Sequence, residues 1–323
     1  MSGATRAFLL GAMIVAACHH DAAGPTTPPV ANKVTAPPPK KAVSDLALLP
    51  VDSEAVIGVD FGQLQQSALW QQYVVPRIGS VSVLDKFREV CGFDPLSSLK
   101  TVAMGLSHLG EAEPVGRVVL HGYDRKRSMT CFDKQVGNAA QDGSKIEIDG
   151  EVARVTDKDG KHVAFTFVDD ATALVIVGPE AAQLARVQAI AAGEGGGLDG
   201  SAGFQELYSK IDTHQSVWML FNGNSPTFQK TTQLGFHMKA FFGSIHVTAG
   251  LAADVRVRVS SPDEASSFAA TAQGQISQLK QYFDKLDVTA EAADIHVAAA
   301  MTSEQIATLL QLLGGLGGGT GGP

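Results

Sequence analysis

Basic side chains at alternate positions in the C-terminal third of the chain are its most chemically suggestive residues. His246 and His296 lie in two similar apolar segments, and Arg256 and Arg258 alternate with valines nearby. Because successive side chains of a strand point to opposite faces, these four residues would share one polar sheet face. We expect this face either to be solvated or to bind an anionic ligand or an acidic partner. A metal site is a third interpretation, although neighbouring arginines repel a cation.

Three other motifs match the letters of known sites but not their context. Residues 195–200 read G-x-G-x-x-G, yet a predicted helix precedes them, whereas a dinucleotide loop follows a strand. In Gly105–Gly110 the second glycine comes one residue too late for a nucleophile elbow. Asp157–Gly160 has Val168 at the twelfth position, where a calcium loop needs glutamate. We therefore expect no catalytic residue, no metal and no cofactor from these motifs.

The N-terminus has the pattern of a secretory signal. Arg6 precedes a short apolar stretch that ends in small residues at Ala17, which predicts a signal peptide over 1–17. The run Val15-Ala16-Ala17-Cys18 resembles the lipobox of bacterial lipoproteins. This resemblance implies that Cys18 becomes the lipidated first residue, and that the absence of Asp at position 19 directs the protein to the outer membrane, facing the periplasm. The alternative is an ordinary signal peptide followed by an accidental cysteine.

The remaining cysteines, Cys91 and Cys131, form a possible disulfide. An exported chain meets an oxidising compartment, where two thiols tend to pair. Two buried free thiols are the alternative. Their spacing lacks the tight pairs of ligands that a zinc site requires.

The charge balance limits the possible partners. Removal of Arg6 with the signal leaves 24 basic residues against 33 acidic residues, a net charge of −9. Nucleic acid and anionic headgroups repel such a body, so we expect no nucleic-acid binding. The lipid anchor would supply the membrane contact, an envelope protein is a possible partner, and the oligomeric state stays open.

Composition divides the rest of the chain into a tether, two folded units and a tail. Proline-rich residues 18–42 predict an extended tether, and glycine-rich residues 193–200 predict a linker. The folded units would cover 43–192 and 201–313. Residues 314–323 are nearly all glycine and predict a disordered tail.

The pattern of strands and helices predicts an α+β fold. Alternating apolar segments separated by Asp-Gly turns indicate antiparallel hairpins, as at Asp149-Gly150. Ser261-Pro262 and the capping box Thr302–Gln305 each predict the start of a helix. The order of elements is similar in both units. We therefore expect two tandem similar units, each a mainly antiparallel sheet packed with helices.

The body also resembles a group of uncharacterised lipoproteins from Gram-negative bacteria with large GC-rich genomes. Leu48–Asp52, Ala55–Asp60 and Gly92–Pro95 carry this resemblance. It implies no catalytic or binding residues. The sequence thus favours a non-catalytic envelope lipoprotein that acts as a binding or scaffold module. The alternatives are a periplasmic carrier or chaperone for a hydrophobic ligand, and an enzyme whose site forms from distant residues.

Overall fold

The computed structural model describes residues 43–78, 82–111, 113–139, 143–223 and 237–317. The predicted signal peptide and Cys18 with its tether lie outside these residues. Ser225-Pro226 also predicts the start of a helix, which lies outside them too. So do the last six residues of the predicted tail.

The described residues form one mixed α/β structure with twelve strands. The strands are β1 (Ala55–Asp60), β2 (Thr101–Ser107), β3 (Val115–His121), β4 (Lys145–Asp149), β5 (Val152–Thr156), β6 (His162–Phe167), β7 (Thr172–Val177), β8 (Val217–Asn222), β9 (Ala240–Val247), β10 (Leu251–Arg258), β11 (Lys285–Glu291) and β12 (Asp294–Met301). The α-helices are α1 (Asp45–Leu48), α2 (Phe61–Gln66), α3 (Val75–Ile78), α4 (Ser82–Cys91), α5 (Pro95–Ser98), α6 (Arg125–Ala139), α7 (Leu184–Ala191), α8 (Ala202–Tyr208), α9 (Pro262–Leu279) and α10 (Ser303–Gly317). A π-helical segment covers Trp70–Val74, and 3₁₀ turns cover Pro179–Ala182, Leu198–Gly200 and Lys280–Tyr282.

All described strands belong to a single antiparallel sheet. Their order is β11-β12-β10-β9-β8-β1-β2-β3-β7-β6-β5-β4. Strand β1 pairs with β8, so the N-terminal and C-terminal halves of the sheet meet in the middle without a break. The antiparallel character and the presence of helices agree with the sequence prediction.

The main core lies on one face of the sheet, which we call the front face. Val56, Ala103 and Val119 point to this face and are buried against α7, α8 and the chain around α1. Trp218 lies over Gly58 on the neighbouring strand; a Cβ atom added to Gly58 would come within 2.0 Å of the indole nitrogen. This close packing joins the two halves at their seam.

The back face is covered by helices toward the two edges of the sheet. Near one edge, Ala265, Ala269 and Ile276 of α9 pack with Val288 and Ile295 of β11 and β12. Near the other edge, Phe132 of α6 meets Phe165 of β6, with ring centroids 4.8 Å apart. Each of these helices precedes the edge strand of its half.

Local signals in the sequence place several boundaries correctly. Thr302 Oγ1 accepts from the Gln305 amide at 3.3 Å, and Gln305 Oε1 accepts from the Thr302 amide at 2.9 Å, which confirms the capping box. Ser261 caps α9, with Pro262 at the first helical position. Gly150 has a φ of 62° in the turn between β4 and β5, as the Asp-Gly signal predicts.

Two boundaries differ from those expected. The cluster of Phe228, Phe236, Phe241 and Phe242 predicts a helix, with the next strand at Ser244–Ala249, but Phe241 and Phe242 belong to β9, which begins at Ala240. Burial of Phe242 in the front core outweighs the helical spacing. Helix α10 continues to Gly317, beyond the expected start of the tail at Gly314.

Candidate functional site

Strand register places the four predicted basic residues on the front face. Arg256 lies directly opposite His296 on β12, and Arg258 lies opposite Asp294. His246 lies opposite Ala252, four residues along β10 from Arg256, which corresponds to about 13 Å. The fold therefore brings Arg256, Arg258 and His296 together and leaves His246 at the far end of the same face.

Carboxylates that sequence reasoning did not single out neutralise these basic side chains. Asp294 and Glu206 each accept from both Arg258 and Lys210: Lys210 Nζ is 3.2 Å from an oxygen of each, and Arg258 Nη2 is 3.1 Å from Asp294 and 3.2 Å from Glu206. Two cations thus share two anions. We call this group the Asp294 tetrad.

A second closed group lies beside it, which we call the His296 tetrad. Arg256 contacts Asp254 at 2.6 Å and Glu291 at 3.5 Å. The two ring nitrogens of His296 face the same two carboxylates, at 3.1 Å each. The tetrad is electrically neutral when His296 is protonated, and it carries one net negative charge when His296 is neutral.

The two tetrads are buried to different depths. The side chain of Asp294 is 5% exposed, whereas Glu206, Asp254 and Glu291 are 52–53% exposed. Burial opposes ionisation of Asp294, but hydrogen bonds and charge attraction from Arg258 and Lys210 outweigh it, so the pKa of Asp294 is lowered. A hydrogen bond from Arg258 likewise lowers the pKa of Glu206. Both carboxylates are therefore ionised at neutral pH.

A broad groove lies over the tetrads and is open to solvent. It measures about 740 Å³ and is lined by Lys210, both arginines and the hairpin turn between β11 and β12. Ala292 in this turn has a φ of 54°, a conformation that suits glycine better than alanine. A second open groove of about 580 Å³ lies where the start of α6 meets the β4–β5 turn.

The arginine and histidine side chains on this face are more buried than most of the carboxylates that pair with them. Arg256, Arg258 and His296 are 17–23% exposed, whereas three of their four carboxylate partners are half exposed. An incoming anion would have to displace these carboxylates from the arginines. The contacts therefore argue against an anionic ligand, which was one of the interpretations of this face.

The sequence contained a partial signal for the missed carboxylates. Asp254 stands two residues before Arg256, and in a strand that spacing places both side chains on one face. Glu206 and Lys210 form an i,i+4 pair at the end of α8. What the sequence lacked was the contact between α8 and β10, which are separated by about forty residues.

The motifs set aside from the sequence lie in structural settings that differ from those of the sites they resemble. Ser107 ends β2, is buried, and its hydroxyl lies 3.1 Å from Asp52; His108 is exposed and has a φ of 57°. Asp157 accepts from two backbone amides of its own turn. Residues 195–200 follow helix α7 rather than a strand, and Gly197 bridges to Pro50.

Cys91 at the end of α4 and Cys131 in α6 form a disulfide-capable pair. Their Cα atoms are 4.8 Å apart, and both residues are buried with Phe93. Arg127 lies 4.6 Å above the Phe93 ring. Burial, with a smaller effect of the Asp94 charge, raises the pKa of nearby Tyr123 to about 12, so the phenol stays neutral.

The described ranges contain neither a metal-ligating cluster nor a membrane-spanning helix. No group of three or more histidine, cysteine or acidic residues in that part of the chain has an arrangement that could hold a metal ion. Among the same residues, none of the helices combines the length and apolar character needed to cross a membrane.

Comparison with known proteins reveals a similar fold but no family. No protein-family profile and no curated protein matches the chain. Crystal forms IV, III and I of TP0453 match it with TM-scores of 0.51, 0.52 and 0.50 at 9–10% sequence identity. These matches cover 83–85% of this chain and 97–99% of TP0453. At this identity the likeness concerns the fold alone.

Proposed function

We propose that the protein is a non-catalytic, lipid-anchored module of the bacterial cell envelope that binds a partner through the front face of its C-terminal half. The observation that carries the anchor is the run Val15-Ala16-Ala17-Cys18 after a short apolar stretch. Lipidation at Cys18 would leave 24 residues before Val43, enough chain to span at most about 80 Å. The body would stand in the periplasm, held to the outer membrane.

Exposure of a polar sheet face supports a binding role. Solvent reaches the front face of strands β10, β12 and β11, and Asp287 and Thr289 are exposed there. In the N-terminal half, the chain's own helices cover the front face of β3, β7 and β6. The closed tetrads also favour binding over catalysis, because each titratable group in them is already paired.

The distribution of exposed charge supports a partner that presents basic side chains. Asp254 and Asp287 flank Ala298 in one row across three adjacent strands. Both carboxylates are more than half exposed, and neighbouring strands lie about 4.8 Å apart. A lysine or arginine of the partner placed over Ala298 would reach both carboxylates.

We also infer that the two halves arose by duplication of one unit. The strand order β1-β2-β3-β7-β6 in the N-terminal half parallels β8-β9-β10-β12-β11 in the C-terminal half. Helices α6 and α9 occupy corresponding places, each after the third strand. The N-terminal unit would then carry β4 and β5 as an additional hairpin at its edge.

Cell fractionation and metabolic lipid labelling test the anchor. We expect the wild-type chain to fractionate with membranes and to incorporate an alkyne-tagged fatty acid. The Cys18→Ala variant should be soluble and unlabelled, whereas Cys91→Ser/Cys131→Ser should keep the label. Membrane association of Cys18→Ala, or labelling that persists in it, would contradict the proposal.

Titration calorimetry with an octalysine peptide tests the binding face. The Asp254→Asn/Asp287→Asn variant should bind the peptide at least fivefold more weakly than wild type. The matched control, Glu113→Gln/Glu194→Gln, removes two exposed carboxylates elsewhere and should change affinity less than twofold. An equal loss in both variants would mean that only net charge matters and would overturn the assignment of this face. Circular dichroism should show that both variants are folded.

A further inference from the structure

The first described residues form a strap across the front face, at the point where the predicted tether would enter the body. We define the strap as Val43–Pro50. It passes over β3 and reaches the 3₁₀ turn at Leu198–Gly200, so it touches the N-terminal half and the segment that links the two halves. Its two ends are fastened in different ways.

The inner end of the strap is held by burial. Leu48 and Leu49 are 0% exposed, and Arg117 donates to the Leu48 carbonyl at 3.3 Å. Pro50 bridges to Gly197, and a Cβ atom on Gly197 would come within 2.4 Å of the Ala47 carbonyl oxygen. None of these contacts depends on a group that titrates near neutral pH.

The outer end of the strap is held by an ion pair, together with partial burial of Val43 and Leu46 against the main core. Both carboxylate oxygens of Asp45 lie 2.9–3.0 Å from Nε2 of His121 on β3. Helix α1 has only four residues, and its Ser44 cap is a weak 3.3 Å bond to the Ala47 amide. Asp45 and His121 are each about one-third exposed, so solvent reaches the pair.

The surroundings of His121 allow it to change charge without losing its hydrogen bonds. Its Nδ1 lies 3.1 Å from the hydroxyl of Thr172, which can donate or accept a proton. The charged neighbours are Asp45 on α1 and Asp169 in the β6–β7 loop, and Asp45 also acts on Tyr208 of α8. The hydrogen bond that His121 donates to Asp45 and the charges of both aspartates raise the pKa of His121 against the effect of burial.

We propose that the Asp45–His121 pair is a pH-sensitive fastener for the outer end of the strap. Protonated His121 holds Val43–Ala47 against β3. As the pH rises and His121 becomes neutral, its charge attraction to Asp45 is lost and only the hydrogen bond remains, so the outer end opens more often while Leu48 and Leu49 stay buried. Opening adds about five residues to the tether, or roughly 17 Å of reach. That consequence for reach rests on the proposed lipid anchor; the opening does not.

Hydrogen exchange of the full-length mature chain tests the fastener. Protection of the amides of residues 45–48, corrected for intrinsic exchange, should be about fivefold higher at pH 5.5 than at pH 8.0. His121→Gln should remove this pH dependence, and Asp45→Asn should do the same. The matched control, His246→Gln, alters an exposed histidine on β9 and should preserve it.

Two outcomes would overturn the fastener. One is equal protection of residues 45–48 in the wild-type protein at both pH values. The other is an unchanged pH dependence in both His121→Gln and Asp45→Asn, with folding verified by the fluorescence of buried Trp218. Since exchange is read at the strap itself, a negative result for lipidation of Cys18 would leave this test unaffected.

Discussion

The front face of the sheet is used differently in its two halves. In the N-terminal half, Arg117 on β3 is 3% exposed and pairs with Glu180, which Arg186 also contacts. In the C-terminal half, Arg256 and Arg258 occupy the corresponding strand β10 but remain about one-fifth exposed. The difference follows from what covers each strand. Helix α7 and the strap cover Arg117 on β3, whereas solvent reaches Arg256 and Arg258 on β10. An arginine on the front face therefore forms an internal ion pair on β3 and part of a surface network on β10.

Removal of the cysteine pair should have the largest effect on stability. That effect should be confined to the N-terminal half, which holds both cysteines. Closure of a 40-residue loop stabilises by about 4 kcal/mol in the chain-entropy description. We expect Cys91→Ala/Cys131→Ala to lower the free energy of unfolding by about that amount, measured by urea denaturation. Peptide mapping without reductant should find Cys91 linked to Cys131. Two free, alkylatable thiols in the native exported protein would contradict this prediction.

Substitution at the seam tests whether the two halves are stable independently. Gly58→Ala places a methyl group against the Trp218 indole, and we expect a loss of about 3 kcal/mol. The matched control is Gly203→Ala in α8. A Cβ atom added at Gly203 has no neighbour within 4 Å, so this variant should be neutral or stabilising. A two-step unfolding curve for Gly58→Ala would indicate that the halves unfold separately; a single transition would indicate that they unfold together.

Loss of one buried carboxylate should destabilise the C-terminal half. Asp294→Asn removes the common partner of Arg258 and Lys210, and we expect a cost of about 2 kcal/mol at pH 7. Glu206→Gln, at the exposed side of the same tetrad, should cost well under 1 kcal/mol.

The effect of Asp294 should also depend on pH. Its pKa is lower in the folded protein than in the unfolded chain, so its contribution is complete above the unfolded value of about 3.9 and is lost as the pH falls further. The difference between wild type and Asp294→Asn should therefore shrink between pH 5 and pH 2. A constant difference across that range would mean that the charge of Asp294 is not what stabilises the tetrad.

The smallest expected effect is a gain in stability at the turn beneath the groove. Ala292→Gly relieves about 1 kcal/mol of strain at a positive φ. Glycine has more backbone entropy to lose on folding, which offsets part of this relief, so we expect a net gain in stability of about 0.5 kcal/mol. Ala293→Gly is the matched control, because Ala293 has no positive φ, and it should destabilise slightly. Thermal unfolding of the two variants measures both effects.

The secondary structure could be predicted from the sequence wherever a local interaction determines a boundary. The capping box at Thr302 and the turn at Gly150 depend on residues within a few positions of each other. Phe241 and Phe242 show the limit of this reasoning. They belong to a cluster of phenylalanines that predicts a helix, but burial in the core favours their place in β9. The candidate site was found in part: alternation placed Arg256, Arg258 and His296 on one face, yet no local pattern could indicate that carboxylates would pair with them.

The sequence by itself determined the lipobox-like run at Cys18, the acidic balance, the antiparallel hairpins and the shared face of the four basic residues. Each follows from composition or from periodicity within one segment. Only the tertiary structure decided that β1 pairs with β8, that Glu206 of α8 meets β10 and nearby Lys210 meets β12, and that the strap joins Asp45 to His121. These contacts link residues from about 50 to over 160 positions apart, and their register depends on burial in a shared core, which no local sequence pattern specifies.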